Sequence, residues 1–231
     1  MSIPTTTRPA PPPLKDGDRL TREEFERRYD TMPEVKKAEL IEGVVHMPSP
    51  VRQVQHGGPH FDLVGWLALY RASTPGVEGG DNCSIRLGED SMPQSDVALF
   101  LLPSHGGQAR LTPDGYIEGG PELIIEVSAT SDRLDRGAKL RLYRDSGVRE
   151  YLVWLAPQGR AEWHTLEGGE YAALPPSADG LLRSRVFPGL WLDAEALARR
   201  DLARVLAVQQ AGLASPEHAA FVAELARRAA G

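Results

Sequence analysis

Residues 121–156, PELIIEVSATSDRLDRGAKLRLYRDSGVREYLVWLA, decide the fold. The stretch opens on PELIIEV (121–127), an apolar run of the length of a strand buried on both faces. SATSDR follows, a cluster of residues that cap helix N-termini, and predicts a helix through about Ser146, where Gly147 is a natural stop. REYLVWLA (149–156) is a second buried strand. Strand, helix, strand in this order is a crossover unit between parallel neighbours, with right-handed connection. Working outward, SDVALFLL (95–102) is a third run of strand length, and AELIEGVVHM (38–47) reads as two short strands turning at Glu42-Gly43. Thr21 and Glu24 have capping-box spacing and start a helix to about Tyr29. Leu63, Trp66, Leu67 and Tyr70 recur at helical spacing in a helix that ends near Ala72 and begins or kinks at Pro59. Residues 161–192 alternate and turn often, which predicts antiparallel strands, and Asp193 and Ser215-Pro216 each open a helix. The fold class is α/β: a central mixed sheet flanked by helices.

The chain has 231 residues, 41% apolar and 25% charged, in the range of globular proteins. The length predicts one main domain (19–195), preceded by a disordered Pro-rich arm (1–18) and followed by a C-terminal helical extension (196–231). The single cysteine, Cys83, excludes an intramolecular disulfide framework. No apolar run is long enough to span a membrane and the first residues have no signal-like apolar core, so the expectation is a cytoplasmic protein with no membrane partner. The net charge of −6 argues against a generic basic coat for nucleic acid. Locally the balance reverses. Between Arg133 and Arg149, six cations face two acids, which predicts a basic lip beside the crossover.

Asp96 lies inside one apolar strand and Glu126 at the end of another. A buried carboxylate needs a donor, a counter-charge or a metal ion. Alternation puts Glu122, Ile124 and Glu126 on one face of their strand and Leu123, Ile125 and Val127 on the other. Asp135, Lys139 and Tyr143, spaced by four, share one side of the following helix, from which Lys139 could reach Glu126. Two carboxylates and a lysine there would suit a hard cation and phosphodiester chemistry. On spacing alone, the same residues also read as a strand-end cap and an ordinary helix ion pair, and that is the more economical reading. His56 and His60 have the spacing of helical metal ligands, but no third ligand lies nearby in sequence, so a hydrogen-bonding role is preferred.

AELIEGVV, QSDVALF, PELIIEVSATS, the Asp135-Lys139-Tyr143 helix with GVREYLVW, and SRVFPGLWLD occur in register from about residue 20 to 195. This ordered set resembles the Uma family of putative restriction endonucleases, in the PD-(D/E)XK nuclease-like superfamily. The resemblance implies a restriction-endonuclease-like core and metal-dependent cleavage of DNA, with a homodimer as the expected assembly. It also implies roles: Asp96 and Glu126 as the two acids, holding Mg²⁺ or Mn²⁺ with the Val127 carbonyl, and Lys139 as the catalytic lysine. Glu39 would be a further carboxylate, with His56, Ser128, Asp135 and Tyr143 at the site's edge. Two positions depart from the pattern. Ser95 replaces the proline before the first acid, and Ser128 stands where the lysine two after Glu126 is usual, so Lys139 must supply that cation from the next helix. The alternative is a catalytically inactive module that keeps the nuclease fold for binding or regulation.

Overall fold

The computed structural model describes residues 11–48, 52–129 and 131–231. Thr21 caps α1 (Arg22–Tyr29) through its hydroxyl, as the capping-box spacing predicts. β1 (Glu39–Ile41) and β2 (Val44–His46) form a hairpin, with Glu42 and Gly43 both at positive φ, as a tight two-residue turn of that hand requires. A π-helical turn (Gln53–Gly57) runs straight into α2 (Gly58–Ser73). Then come β3 (Val77–Arg86), β4 (Gln94–Leu101), β5 (Arg110–Leu111), β6 (Ile117–Glu118) and β7 (Leu123–Ser128). The crossover is two helices, α3 (Asp132–Asp135) and α4 (Ala138–Asp145), leading to β8 (Glu150–Leu155). β9 (Arg160–Glu167), β10 (Glu170–Ala173), β11 (Leu182–Arg183) and β12 (Trp191–Leu192) precede α5 (Ala194–Ala198), α6 (Leu202–Leu213) and α7 (Pro216–Ala230).

The main sheet runs β10-β9-β8-β7-β4-β3-β6-β5. β7 and β8 are parallel, as the crossover predicts, while β4 pairs antiparallel with β7 and β9 with β8. Strand alternation sorts the core into two faces. Leu123, Ile125 and Val127 pack with Val97, Leu99 and the α2 residues Leu63, Trp66 and Tyr70 on one side. On the other, Ile124 packs with Ala98, Phe100 and the α4 residues Leu142 and Tyr143. The mixed sheet flanked by helices is therefore the architecture, and the face assignment read from β7 holds.

Three expectations need correction. The single crossover helix is broken at Gly137, where a Cβ would stand 2.4 Å from the Arg133 carbonyl oxygen. The arm expected over residues 1–18 is anchored before its end: Leu14 is buried beside Phe25 and Leu40, and the Gly17 amide donates to the Val45 carbonyl. Its first ten residues lie outside the described ones. The region after residue 195 is helical, yet it is part of the core rather than an appendage, because Leu197, Val205 and Leu225 belong to the α2-side cluster. Phe221 packs edge-on against Phe187 of the same chain. Among the described residues, no helix is long and apolar enough to cross a membrane.

Candidate active site

The pairing of β4 with β7 matches Val97 to Ile125 and Ala98 to Ile124. One step further in that register sets Asp96 opposite Glu126, on the α4 face. Directly opposed residues on one face of an antiparallel pair are neighbours, so the two buried acids are brought together by strand register. Each is then fixed separately. Asp96 Oδ2 accepts from the Val127 amide at 2.8 Å and from His56 Nε2 at 3.1 Å. Its Oδ1 accepts from Lys37 Nζ at 3.2 Å. Val127 thus meets Asp96 through its N–H. Glu126 Oε1 accepts from Lys139 Nζ at 3.0 Å and from the Tyr143 hydroxyl at 2.8 Å.

Lys139 reaches Glu126 from α4, whereas position 128 holds a buried serine. Its Nζ also lies 2.8 Å from Glu39 Oε1 and 3.8 Å from Asp135 Oδ1. Glu39 enters from β1, and the same oxygen accepts from the Gln94 amide at 2.9 Å, tying the hairpin to the start of β4. Asp135 stays close because Ser131 donates to its Oδ2, and the backbone carbonyl of Asp135 accepts from Tyr151. Ser128 is buried at the end of β7. The ordinary i,i+4 ion pair foreseen from spacing is therefore the weakest of three contacts around one buried ammonium.

The electrostatics follow from this crowding. Among the described residues, four buried carboxylates (Glu39, Asp96, Glu126 and Asp135) face two lysines, Lys37 and Lys139, with His56 as a further partner of Asp96. Burial raises the Glu126 carboxyl well above the usual range; Lys139 opposes this, and the charges of Asp96, Asp135 and Glu39 add to it. Asp135 is raised for the same first reason, burial. Asp96 goes the other way. Burial pushes it up, but the His56 hydrogen bond and the charges of Lys37 and Lys139 together hold it well below the carboxylate range. Burial would lower Lys139, yet Glu126, Glu39 and Asp135 outweigh it and keep the ammonium protonated. Tyr143 is raised by burial and by Glu126, so its hydroxyl remains a donor.

Two residues join the site that the sequence reading did not place there. Lys37 precedes Glu39 by two, and that alternation was the available signal. Asp81, on β3, lies 2.7 Å from His60 Nε2, which also reaches the Asp96 carbonyl oxygen at 3.0 Å. His56 and His60 therefore meet around Asp96, their rings edge to face at 5.5 Å. Among the described residues no three His, Cys, Asp or Glu side chains form a ready metal cage, zinc included.

The basic lip needs correction. Lys139 is spent inside the cluster, and Arg136, Arg141 and Arg144 pair with Glu162, Glu42 and with Asp145 and Glu170. Most of the positive run is neutralised in place.

Comparison with known proteins bears on this geometry. A family model described as Uma2, putative restriction endonuclease, matches residues 22–195. The crystal structure of a putative nuclease belonging to DUF820 from Anabaena variabilis ATCC 29413 aligns with a TM-score of 0.57 at 15% identity. The alignment covers 74% of this chain and 96% of that one, and at such identity it speaks to the fold. No curated protein matches.

Proposed function

The chain belongs to the Uma2 family of putative restriction endonucleases, and on that premise we propose that it is a metal-dependent endonuclease hydrolysing phosphodiester bonds in DNA. The observation that carries the reading is the convergence of four buried carboxylates on two lysines and His56 among the described residues. Keeping buried acids ionised is costly. A divalent cation would favour the ionised form of these acids, and the donor set, all oxygen, suits Mg²⁺ or Mn²⁺.

Asp96 and Glu126 would hold the ion with the Val127 carbonyl, and Glu39 is the further carboxylate within reach of the same lysine. Bound there, the ion would supply a water of lowered pKa and offset charge on the phosphate. The chain's own groups do the rest. The Val127 amide and His56 fix one oxygen of Asp96, so the carboxylate cannot rotate away. Tyr143 and Lys139 do the same for Glu126 through its Oε1. Lys139 also holds Glu39 and Glu126 on one ammonium, which keeps the acids convergent without metal.

The test is cleavage of supercoiled plasmid with Mg²⁺ or Mn²⁺, comparing wild type with Asp96→Ala, Glu126→Ala and Lys139→Ala. The expected result is cutting by wild type alone, abolished by EDTA. Equal cutting by all four would place the chemistry elsewhere, and no cutting by wild type with either ion would favour the inactive binding module.

A further inference from the structure

The site holds two lysines in unlike surroundings. Lys139, the residue the motif match makes catalytic, is closed in: its side chain is 3% exposed and its ammonium is enclosed by Glu39, Glu126 and Asp135. An ammonium has three donors, and here each has a carboxylate to face. Lys37 is different. Its side chain is 26% exposed, and among the described residues its Nζ makes one ion pair, with Asp96 Oδ1 at 3.2 Å. The other oxygen of Asp96 is taken by the Val127 amide and His56, so Lys37 sits on the remaining one. Its position in the chain explains the placement. Lys37 and Glu39 stand two apart on the extended segment entering β1, so one stretch of backbone delivers a carboxylate to Lys139 and an ammonium to Asp96.

We propose that Lys37, rather than Lys139, is the cation that contacts the phosphate of the substrate. Lys139 holds the acids together; Lys37 has the solvent access, the flexible four-carbon stem and the replaceable partner that a substrate contact requires. Its ammonium can pass from Asp96 to a phosphate oxygen without leaving the edge of the site. There it would offset the charge that develops during displacement.

The inference rests on the nuclease reading, and the experiment separates the two. Binding of a fluorescent DNA duplex is measured in EDTA across a salt series, so that affinity is read without cleavage. Removing one phosphate contact reduces the slope of log affinity against log salt by about 0.9. Lys37→Ala is expected to show that reduction, while Lys37→Arg, which keeps the charge, retains the wild-type slope. Lys36→Ala, at the neighbouring exposed lysine, is also expected to retain it. In Mn²⁺, Lys37→Ala is expected to lower the cleavage rate by about 10²-fold, with partial recovery in Lys37→Arg. An unchanged slope in Lys37→Ala, or an equal fall in Lys36→Ala, overturns the assignment even if wild type cuts DNA. A wild type that never cuts, with the slope change still present, would defeat the nuclease reading and leave the phosphate contact standing.

Discussion

Replacing Lys139 by Met deletes one ammonium and keeps most of the apolar stem. The loss falls on a group 2% exposed whose ammonium faces three carboxylates, at 2.8 Å (Glu39), 3.0 Å (Glu126) and 3.8 Å (Asp135). Removing one partner of a buried ion pair costs about 3–5 kcal/mol, because the remaining charge is left unpaired. For a chain of this size, each kcal/mol moves the melting temperature by about 2–4 °C, so Lys139→Met should melt roughly 6–20 °C below wild type. The sign of the pH dependence follows from the same charges. Without the ammonium, the Glu126 and Asp135 carboxyls, already raised by burial, are raised further above their unfolded values, so the folded state binds protons more readily. The resulting penalty is absent below the unfolded carboxylate range, about pH 4, and grows as pH rises through the folded values. The gap between variant and wild type should therefore be wide near about pH 8 and narrower near about pH 5. Calorimetric melts at both pH values measure it. A variant melting within about 2 °C of wild type at both would refute the claim that Lys139 stabilises the cluster.

Two further outcomes follow from the packing. A chain ending at residue 195 keeps the whole family match but loses Leu197, Val205 and Leu225 from the α2-side core and the Gln209 partner of the Trp66 indole N–H; it should lose cooperative unfolding and near-ultraviolet circular dichroism, and a sharp wild-type-like melt would contradict the placement of these helices in the core. At Gly107 an added Cβ would stand 1.8 Å from the Leu101 carbonyl oxygen, so Gly107→Ala must shift backbone; urea denaturation should show a loss of about 1–3 kcal/mol.

The parts of the fold that were legible are those where burial follows a strict period. The β7 alternation sets Glu122, Ile124 and Glu126 on one face, and the spacing of Asp135, Lys139 and Tyr143 points one helix face towards Glu126. Both hold. β3 was not legible. VEGGDNCSIR has little apolar alternation, and its place beside β4 comes from backbone pairing along almost its whole length. Asp81 was hidden with it. Lys37 escaped notice because it lies outside any regular element, and only its spacing to Glu39 marks its side. The break at Gly137 carried its own signal, a glycine inside a helical pattern. The basic run from 133 to 149 misled for a different reason. A charge count along the chain does not show that Glu42, Glu162 and Glu170, distant in sequence, pair with it.

The central claim is that Asp96 and Glu126 form one cation site. The most direct measurement is a crystal structure of the protein soaked in Mn²⁺, read by the anomalous signal of the metal. The account predicts a single strong peak between the Asp96 and Glu126 carboxylates, lost in Glu126→Gln, with Lys139 still joined to Glu39. No peak at those acids, or a peak that persists when Glu126 is replaced, would contradict it.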